Sequence, residues 1–269
     1  MSLLRIALRF LCLLVSFAAI GALPAFAQSS EPACRPEMAS YRLPIQRVQL
    51  AKDEVRLTFI GHATFLIETP GGVKIATDYN DYVRPPVTPD IATMNKAHST
   101  HYSNRPDPAI KQVLRGWDPE GKGAAHHDLT LGDVRIRNVP TNIRTYDGGT
   151  DYDGNSIFVF EIGDLCIAHL GHLHHPLEPG HLRALGRVDI VLFPVDGSYT
   201  LDQEGMLEVL KSLQARVMIP MHFFGGGTLE RFLSRTRDLW PVERHGEPSI
   251  TLSKAALPAK PTVIVLPGH

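Results

Sequence analysis

Histidine is the residue type through which this chain could do chemistry. It recurs where apolar runs break off: His62 in IGHATFLIE, His98 and His101 in HSTHYSN, His172, His174 and His175 in GHLHHP, and His222 in IPMHFF. His172 and His174 are two apart, so extended backbone points them the same way, and neutral imidazoles converging at a strand end are ready ligands for a transition metal. A solvated histidine-rich loop tip is the plainer reading of GHLHHP, because a short tract of one residue type is only a compositional signal. Ser99 and Ser103 flank His101 and raise nucleophilic catalysis as another option. Neither lies in a G-x-S-x-G elbow, and three residues are too few to define a triad.

The elements that would carry these histidines follow from periodicity. From Arg47, the stretches VQL, EVRLTFIG, ATFLIET and VKIATDY, with a Pro70-Gly71-Gly72 turn, read as a meander of antiparallel strands. His62 and Asp78 sit at its breaks, where side chains leave a sheet to face a site. The Asp107-Pro108 pair reads as a helix start and predicts Ala109–Trp117 as helical. DLTLGDVRIRNVP gives two strands about Gly132-Asp133, and SIFVFEIGDLCIAHLG a hairpin turning at Gly163-Asp164. Between them, Asp147, Asp151 and Asp153 lack the ligand order of a calcium loop and read as a solvated turn. His126 and His127 fall in a polar loop and read as surface residues.

The last third has a different rhythm. Val188–Val195 is a continuous apolar run of the kind covered on both faces, and Arg216–Met221 is another. Between them Thr200–Gln203 reads as a capping box for a helix with Met206, Leu210 and Leu213 on one side. Such a βαβ unit predicts parallel strands, with ligands gathered beyond their carboxyl ends, where Asp196 and His222 lie. A helix from Thr228 to about Trp240 and the strands SITLSK and PTVIVLP complete the chain.

Composition bounds the setting. Arg5 and Arg9 precede an apolar stretch, Phe10–Leu23, too short to span a bilayer, and Ala25-Phe26-Ala27 is a small-residue cleavage site. Residues 1–27 therefore read as a signal peptide, and the mature chain as exported to the periplasm or the medium. Residues 28–46 read as an N-terminal arm and 47–269 as a single domain of ordinary globular composition, 43% hydrophobic and 20% charged over the whole chain. Loss of Arg5 and Arg9 moves the net charge from −1 to −3, with 25 basic against 28 acidic residues, which gives no footing to nucleic acid. No later stretch is long and apolar enough for a membrane span. Cys34 and Cys166 could pair in an oxidising compartment, although a free cysteine within an apolar strand also packs as a small hydrophobe.

These stretches together carry a resemblance. FIGHATFLIE with KIATDY, then HLGHLHH, then PVDGSYT with IPMHFF, run in order from about Val55 to Phe224. They resemble the metallo-β-lactamase-fold hydrolases, particularly the branch with lactonase-like and phospholipase-D-like members. The resemblance implies an α/β fold, a four-layer αββα sandwich with its site at one edge. The family's HxHxDH motif aligns with Ser99-Thr100-His101-Tyr102-Ser103-Asn104, so only its second histidine survives. Its next histidine falls on Asn142, its bridging aspartate on His172 and its final histidine on His222. An ordinary two-zinc centre is therefore not implied.

What the resemblance does imply is one divalent transition metal, zinc first with manganese or iron as alternatives. Its ligands would be His101, His172 and His222, with His62 nearby. Asp78 and Asp196 are expected to handle protons or orient ligands; His98, Asn142, His174 and Tyr199 are expected to meet substrate or brace the site. The activity implied is hydrolysis of an ester, lactone, amide or phosphoester bond in a small molecule, with oligomeric state left open. A catalytically silent binding protein that kept the fold is the rival, on the polar replacements Ser99, Ser103, Asn104 and Asn142. An all-histidine site also suits an iron or copper oxidoreductase.

Overall fold

Strict alternation builds the first sheet. In β1 (Glu54–Gly61), Val55, Leu57, Phe59 and Gly61 are buried while the residues between them are half-exposed, the pattern of a strand with one face on a core. The computed structural model describes residues 49–268. The expected signal peptide, the N-terminal arm and Cys34 lie outside the described residues. β1 pairs antiparallel with β2 (Thr64–Glu68), which pairs with β3 (Lys74–Ala76), giving the expected meander. β4 (Ile91–Met94) and β5 (Gln112–Arg115) add in parallel, and β13 (Ser249–Ser253) closes the other side of β1.

The second sheet has eight strands. β6 (Asp128–Leu131), β7 (Val134–Arg144), β8 (Thr150–Ile162) and β9 (Leu165–His169) are antiparallel neighbours. Beyond β9 the sheet turns parallel through β10 (Ile190–Pro194), β11 (Val217–Met221), β14 (Thr262–Val265) and β12 (Val242–Arg244). The βαβ unit is present, with α2 (Gln203–Leu213) between the parallel strands β10 and β11.

The two sheets face each other over one core. Phe59, Phe65 and Ile75 from the first meet Ile136, Phe158, Phe160, Leu192 and Ile219 from the second, all essentially buried. Each such side chain contributes about 2 kcal/mol on burial, so this seam decides which faces pack. Alternate residues of the second sheet, Ile157, Val159, Val191, Phe193 and Met218, point away into a second core roofed by α1 (Pro179–Leu185), α2 and α3 (Gly226–Thr236). Burial on both faces is why β10 and β11 read as unbroken apolar runs. The outer face of the six-stranded sheet carries Ala76, Ala92 and Met94, covered by Tyr79, Tyr102, Ile110 and Trp117 from loops and strand ends. No described helix is long and apolar enough to cross a membrane.

Several local expectations are corrected. Residues 109–117 are not a helix: Asp107 turns the chain, accepting Ala109 N–H on Oδ1 and Ile110 N–H on its carbonyl, and Gln112–Arg115 then pairs with β4. The α2 cap is Asp202, which accepts from Gly205 N–H; Thr200 instead donates to Asp196. Asp151 and Asp153 belong to β8, with Asp151 paired to Lys96 at 2.7 Å. His127 is a brace, stacked over Phe158 and bonded through Nε2 to the Arg115 carbonyl at 2.7 Å.

Candidate metal centre

Bends in the backbone aim the site. Of five described non-glycine residues with left-handed φ, three are His62 (52°), Asp78 (42°) and His222 (55°), each just past a strand. Such strain persists where packing over-determines it and concentrates at functional sites. His222 N–H donates to the His62 carbonyl at 2.7 Å, tying the end of β11 to the β1–β2 turn across the seam of the sandwich. His98 and His101 arrive on the loop after β4, and His172 on the loop after β9. The ring nitrogens of His62, His98, His101 and His222 offer one ligand atom each, all within 4.8 Å of one another.

Two of these imidazoles are braced by buried carboxylates. His101 Nδ1 is 2.5 Å from Asp78 Oδ2, both side chains fully buried, and Asn95 Nδ2 holds the other Asp78 oxygen at 2.9 Å. His222 Nδ1 lies 3.0 Å from Asp196 Oδ1 but off the axis of a straight hydrogen bond, leaving a buried nitrogen without a satisfied partner. Asp78 holds the His101 proton on Nδ1, so that the bare Nε2 of His101 faces His222 Nε2 at 3.1 Å. Nitrogens on one tetrahedral zinc, bonded at 2.0–2.1 Å, stand about 3.3 Å apart, so the spacing fits a transition metal. Carboxylates behind metal-ligating histidines are the usual means of fixing tautomer and ring direction.

The remaining histidines form a chain with one polarity. Arg144 N–H donates to His174 Nδ1 at 3.0 Å, which leaves a neutral His174 with its proton on Nε2, facing His172 Nδ1 at 2.5 Å. His172 then presents Nε2–H to His98 Nε2 at 3.0 Å, and His98 presents Nδ1–H to Thr100 Oγ1 at 2.7 Å. The Thr100 hydroxyl is left to donate to His62 Nε2 at 2.9 Å. A metal drawing on His62 or His98 would compete with these bonds for the same lone pairs.

Burial and neighbouring imidazoles oppose protonation of His62, His98, His101, His172 and His174. Desolvation, with His222 and His98 nearby, lowers the His62 pKa to about 3, and burial beside Arg144 takes His174 to about 4. His98 is lowered, and the buried His101 and His172 are well below the ordinary value, in each case by burial first and by neighbouring imidazoles second. Burial raises Asp78 to about 6. Burial opposes ionisation of Asp196 too, but His222, the Thr200 hydroxyl and the Ser198 amide outweigh it and hold that carboxyl well below the usual range.

One glycine locks this arrangement. Gly171 has φ 58°, and a Cβ there would lie 2.4 Å from Asn95 Nδ2 and 2.5 Å from Asn155 Oδ1, the amides that hold Asp78 and the His172 N–H. Gly171→Ala is expected to destabilise the protein by about 2–3 kcal/mol in urea unfolding and to weaken metal retention together with it. A neutral result would mean that these amides do not constrain the site.

The expected roles shift accordingly. His98, expected to meet substrate or brace the site, is within the ligand-ready set, while His172, expected as a ligand, stands one hydrogen bond behind it. Asp78 and Asp196, expected to handle protons or orient ligands, sit behind His101 and His222, in the position of the second role. Asp196 is also saturated, accepting from the Tyr199 N–H at 2.6 Å and the Thr200 hydroxyl at 2.5 Å. Asn142 is turned away from the cluster, accepting from Asp153 N–H at 3.0 Å. Tyr199 is half-exposed beside Phe224, whose ring stands 5.6 Å from His62. Ser103 donates to Asp81 at 2.7 Å, not to a histidine. Thr100, Asn95, Asn155 and Arg144 were not anticipated; of these, only Thr100, lying between two loop histidines, had a readable cue.

Comparison with known proteins is consistent across sequence and structure. A family model described as "Beta-lactamase superfamily domain" matches residues 56–222. A UPF0173 protein of Pyrococcus abyssi is 26% identical over 214 residues, covering 72% of this chain and 97% of that protein. A protein of Thermoplasma volcanium named UPF0173 metal-dependent hydrolase is 35% identical over 190 residues, 63% of this chain and 84% of its own length. Among solved structures, a Thermotoga maritima protein described as a putative Zn-dependent hydrolase of the metallo-beta-lactamase superfamily superposes with a TM-score of 0.59. It is 29% identical, over 80% of this chain and all of that one.

Proposed function

The chain belongs to the beta-lactamase superfamily domain family, and from that premise we propose that it is an exported metal-dependent hydrolase with one histidine-rich metal centre. Zinc is the metal proposed, and the bond an ester, lactone, amide or phosphoester in a small molecule. The observation that carries this reading is the pair of imidazoles backed by aspartates, His101 and His222, facing Nε2 to Nε2 at 3.1 Å within a cluster that includes His62 and His98. The names of the relatives from Thermoplasma and Thermotoga support it.

His101 and His222 would hold the metal, with His62 and His98 completing the set. When bound, such a metal polarises a carbonyl or phosphoryl oxygen and lowers the pKa of water. Asp78 keeps the His101 proton on Nδ1, so that Nε2 stays bare; Asp196 stands 3.0 Å behind His222 Nδ1. Thr100 fixes the directions of His62 and His98. Both carboxylates are turned to the rear, and His98 and His172 line the adjoining cavity, where their rings meet what binds there. Tyr199 lines the same cavity and its ring packs against that of Phe224.

The test is elemental analysis of residues 28–269, purified without chelators or a histidine tag, followed by an ester, lactone and phosphodiester panel. About one equivalent of transition metal with metal-dependent turnover is expected. No metal after reconstitution, or metal without turnover, would favour a binding protein. Export predicts a mature N-terminus at Gln28, which mass spectrometry of the native protein reads directly.

A further inference from the structure

We propose that the substrate carries an oxyanion, a carboxylate or phosphate, and that Arg144 holds it in a cavity beside the histidine cluster. This deepens the hydrolase reading and rests on it. The cavity, about 290 Å³, is lined by His98, His172 and His174 together with Arg144, Tyr146 and Tyr199. That volume suits a small molecule. Arg144 comes from the end of β7, and one arm of its guanidinium is tethered to the Ser198 and Thr200 carbonyls at 3.2 and 3.4 Å. Tethering to neutral carbonyls positions the charge without neutralising it, and no carboxylate pairs with it among the described residues. Asp196, in the turn whose carbonyls tether Arg144, is already filled by the Thr200 hydroxyl and the amides of that turn.

The exposed Arg144 places its charge beside the histidine cluster. A guanidinium beside imidazoles that would receive a metal cation adds positive charge to a site already built for it, and its field is felt at His174. An anionic group between the two relieves both, and the planar fork of arginine accepts carboxylate or phosphate through paired hydrogen bonds. Tyr146 and Tyr199, both largely exposed at the mouth, offer aromatic faces to the apolar part of the same molecule. The substrate is thus an anionic ester, lactone or amide, or a phosphoester. For an ester, water adds its oxygen to the acyl carbon, the acyl C–O bond breaks and the alcohol leaves with a proton.

Two probes differing in one charge test this: mono-(4-nitrophenyl) glutarate and its ethyl ester. The mature wild-type protein, loaded with zinc, is expected to prefer the monoanion at least 10-fold in kcat/KM, and Arg144→Gln to bring the ratio within about twofold of one. Arg144→Lys, which keeps the charge and is the variant that holds if Arg144→Gln does not fold, is expected to leave a reduced preference. The same ratio in wild type and both variants overturns the proposal. If wild type cleaves neither probe, the hydrolase reading has failed on this class and calorimetry decides the anion site separately. Titration of metal-free protein with phenylphosphonate and with glutarate is expected to show binding of at least one, weakened 10-fold or more by the Arg144 variants, and tells phosphate from carboxylate. Binding of neither, or equal binding by wild type and variants, overturns it.

Discussion

His222→Asn is expected to hold no stoichiometric metal and to lose at least 1,000-fold in metal-dependent turnover while remaining folded. His222 closes the ligand set from the end of β11, and its Nε2 faces that of His101. Asparagine is the informative replacement because it tolerates the left-handed backbone that His222 occupies at φ 55°, so the His222 N–H bond to the His62 carbonyl survives. Alanine would add backbone strain and leave Asp196 facing a cavity, confusing loss of metal with loss of fold. Elemental analysis and a thermal melt, beside the exposed control His126→Asn, check it. Full metal content in His222→Asn would remove this residue from the centre and leave the facing imidazoles without a purpose.

The second large effect is acid lability of the metal-free protein. An ordinary unfolded histidine takes a proton near pH 6.5, whereas His62 and His174 in the folded chain wait until about pH 3 and 4. His98, His101 and His172 are depressed as well. Stability is therefore intact above pH 6.5 and is lost as pH falls from there towards 3, because the unfolded chain binds protons that the folded chain refuses. Each fully buried group removes up to about 1.4 kcal/mol per pH unit, and the partly exposed ones less. Asp78 acts in the opposite sense: raised to about 6, it takes its proton in the folded state first, so its stabilisation is present below about pH 4 and is lost as pH rises through 6. One such group does not offset several histidines. Against a total of about 5–15 kcal/mol, the metal-free protein is expected to unfold between about pH 4 and 6. Metal at 1,000 times its dissociation constant adds about 4 kcal/mol and should move that midpoint down by a pH unit or more. Circular dichroism against pH, with chelator or with zinc, reads both curves; a metal-free protein of constant stability from pH 7 to 4 would show that the imidazoles are not held neutral.

What was legible in the sequence was what local pattern encodes. The alternation of Val55, Leu57 and Phe59, the unbroken runs of β10 and β11, and Met206 with Leu210 on α2 identify their own elements, because each advertises the face it buries. Gln112–Arg115 failed for the converse reason. Four residues after Asp107-Pro108 carry no period, and what makes them a strand is parallel pairing with Ile91–Met94, some twenty positions away. The histidines announced a site by type and by position at strand ends. Which of them share a point depends on ring directions set by Asn95, Thr100 and the Arg144 amide, whose identities say nothing of that task. Arg144 could not be found by motif, since it reaches the cavity by way of the long β7–β8 hairpin.

The bond from His222 N–H to the His62 carbonyl bears on the order of assembly. It joins residues 160 positions apart, and the ring contact of His222 with His101 spans 121. Contacts of such range form late, after the loops between them have been closed by hydrophobic docking of the two sheets. Metal in this protein is therefore a latecomer, captured by a finished sandwich, unlike the ion of a zinc finger that organises an otherwise unfolded chain. Stripping it should return a folded vacant receptor near neutral pH, and a chain stalled before its sheets meet should compete poorly for scarce metal.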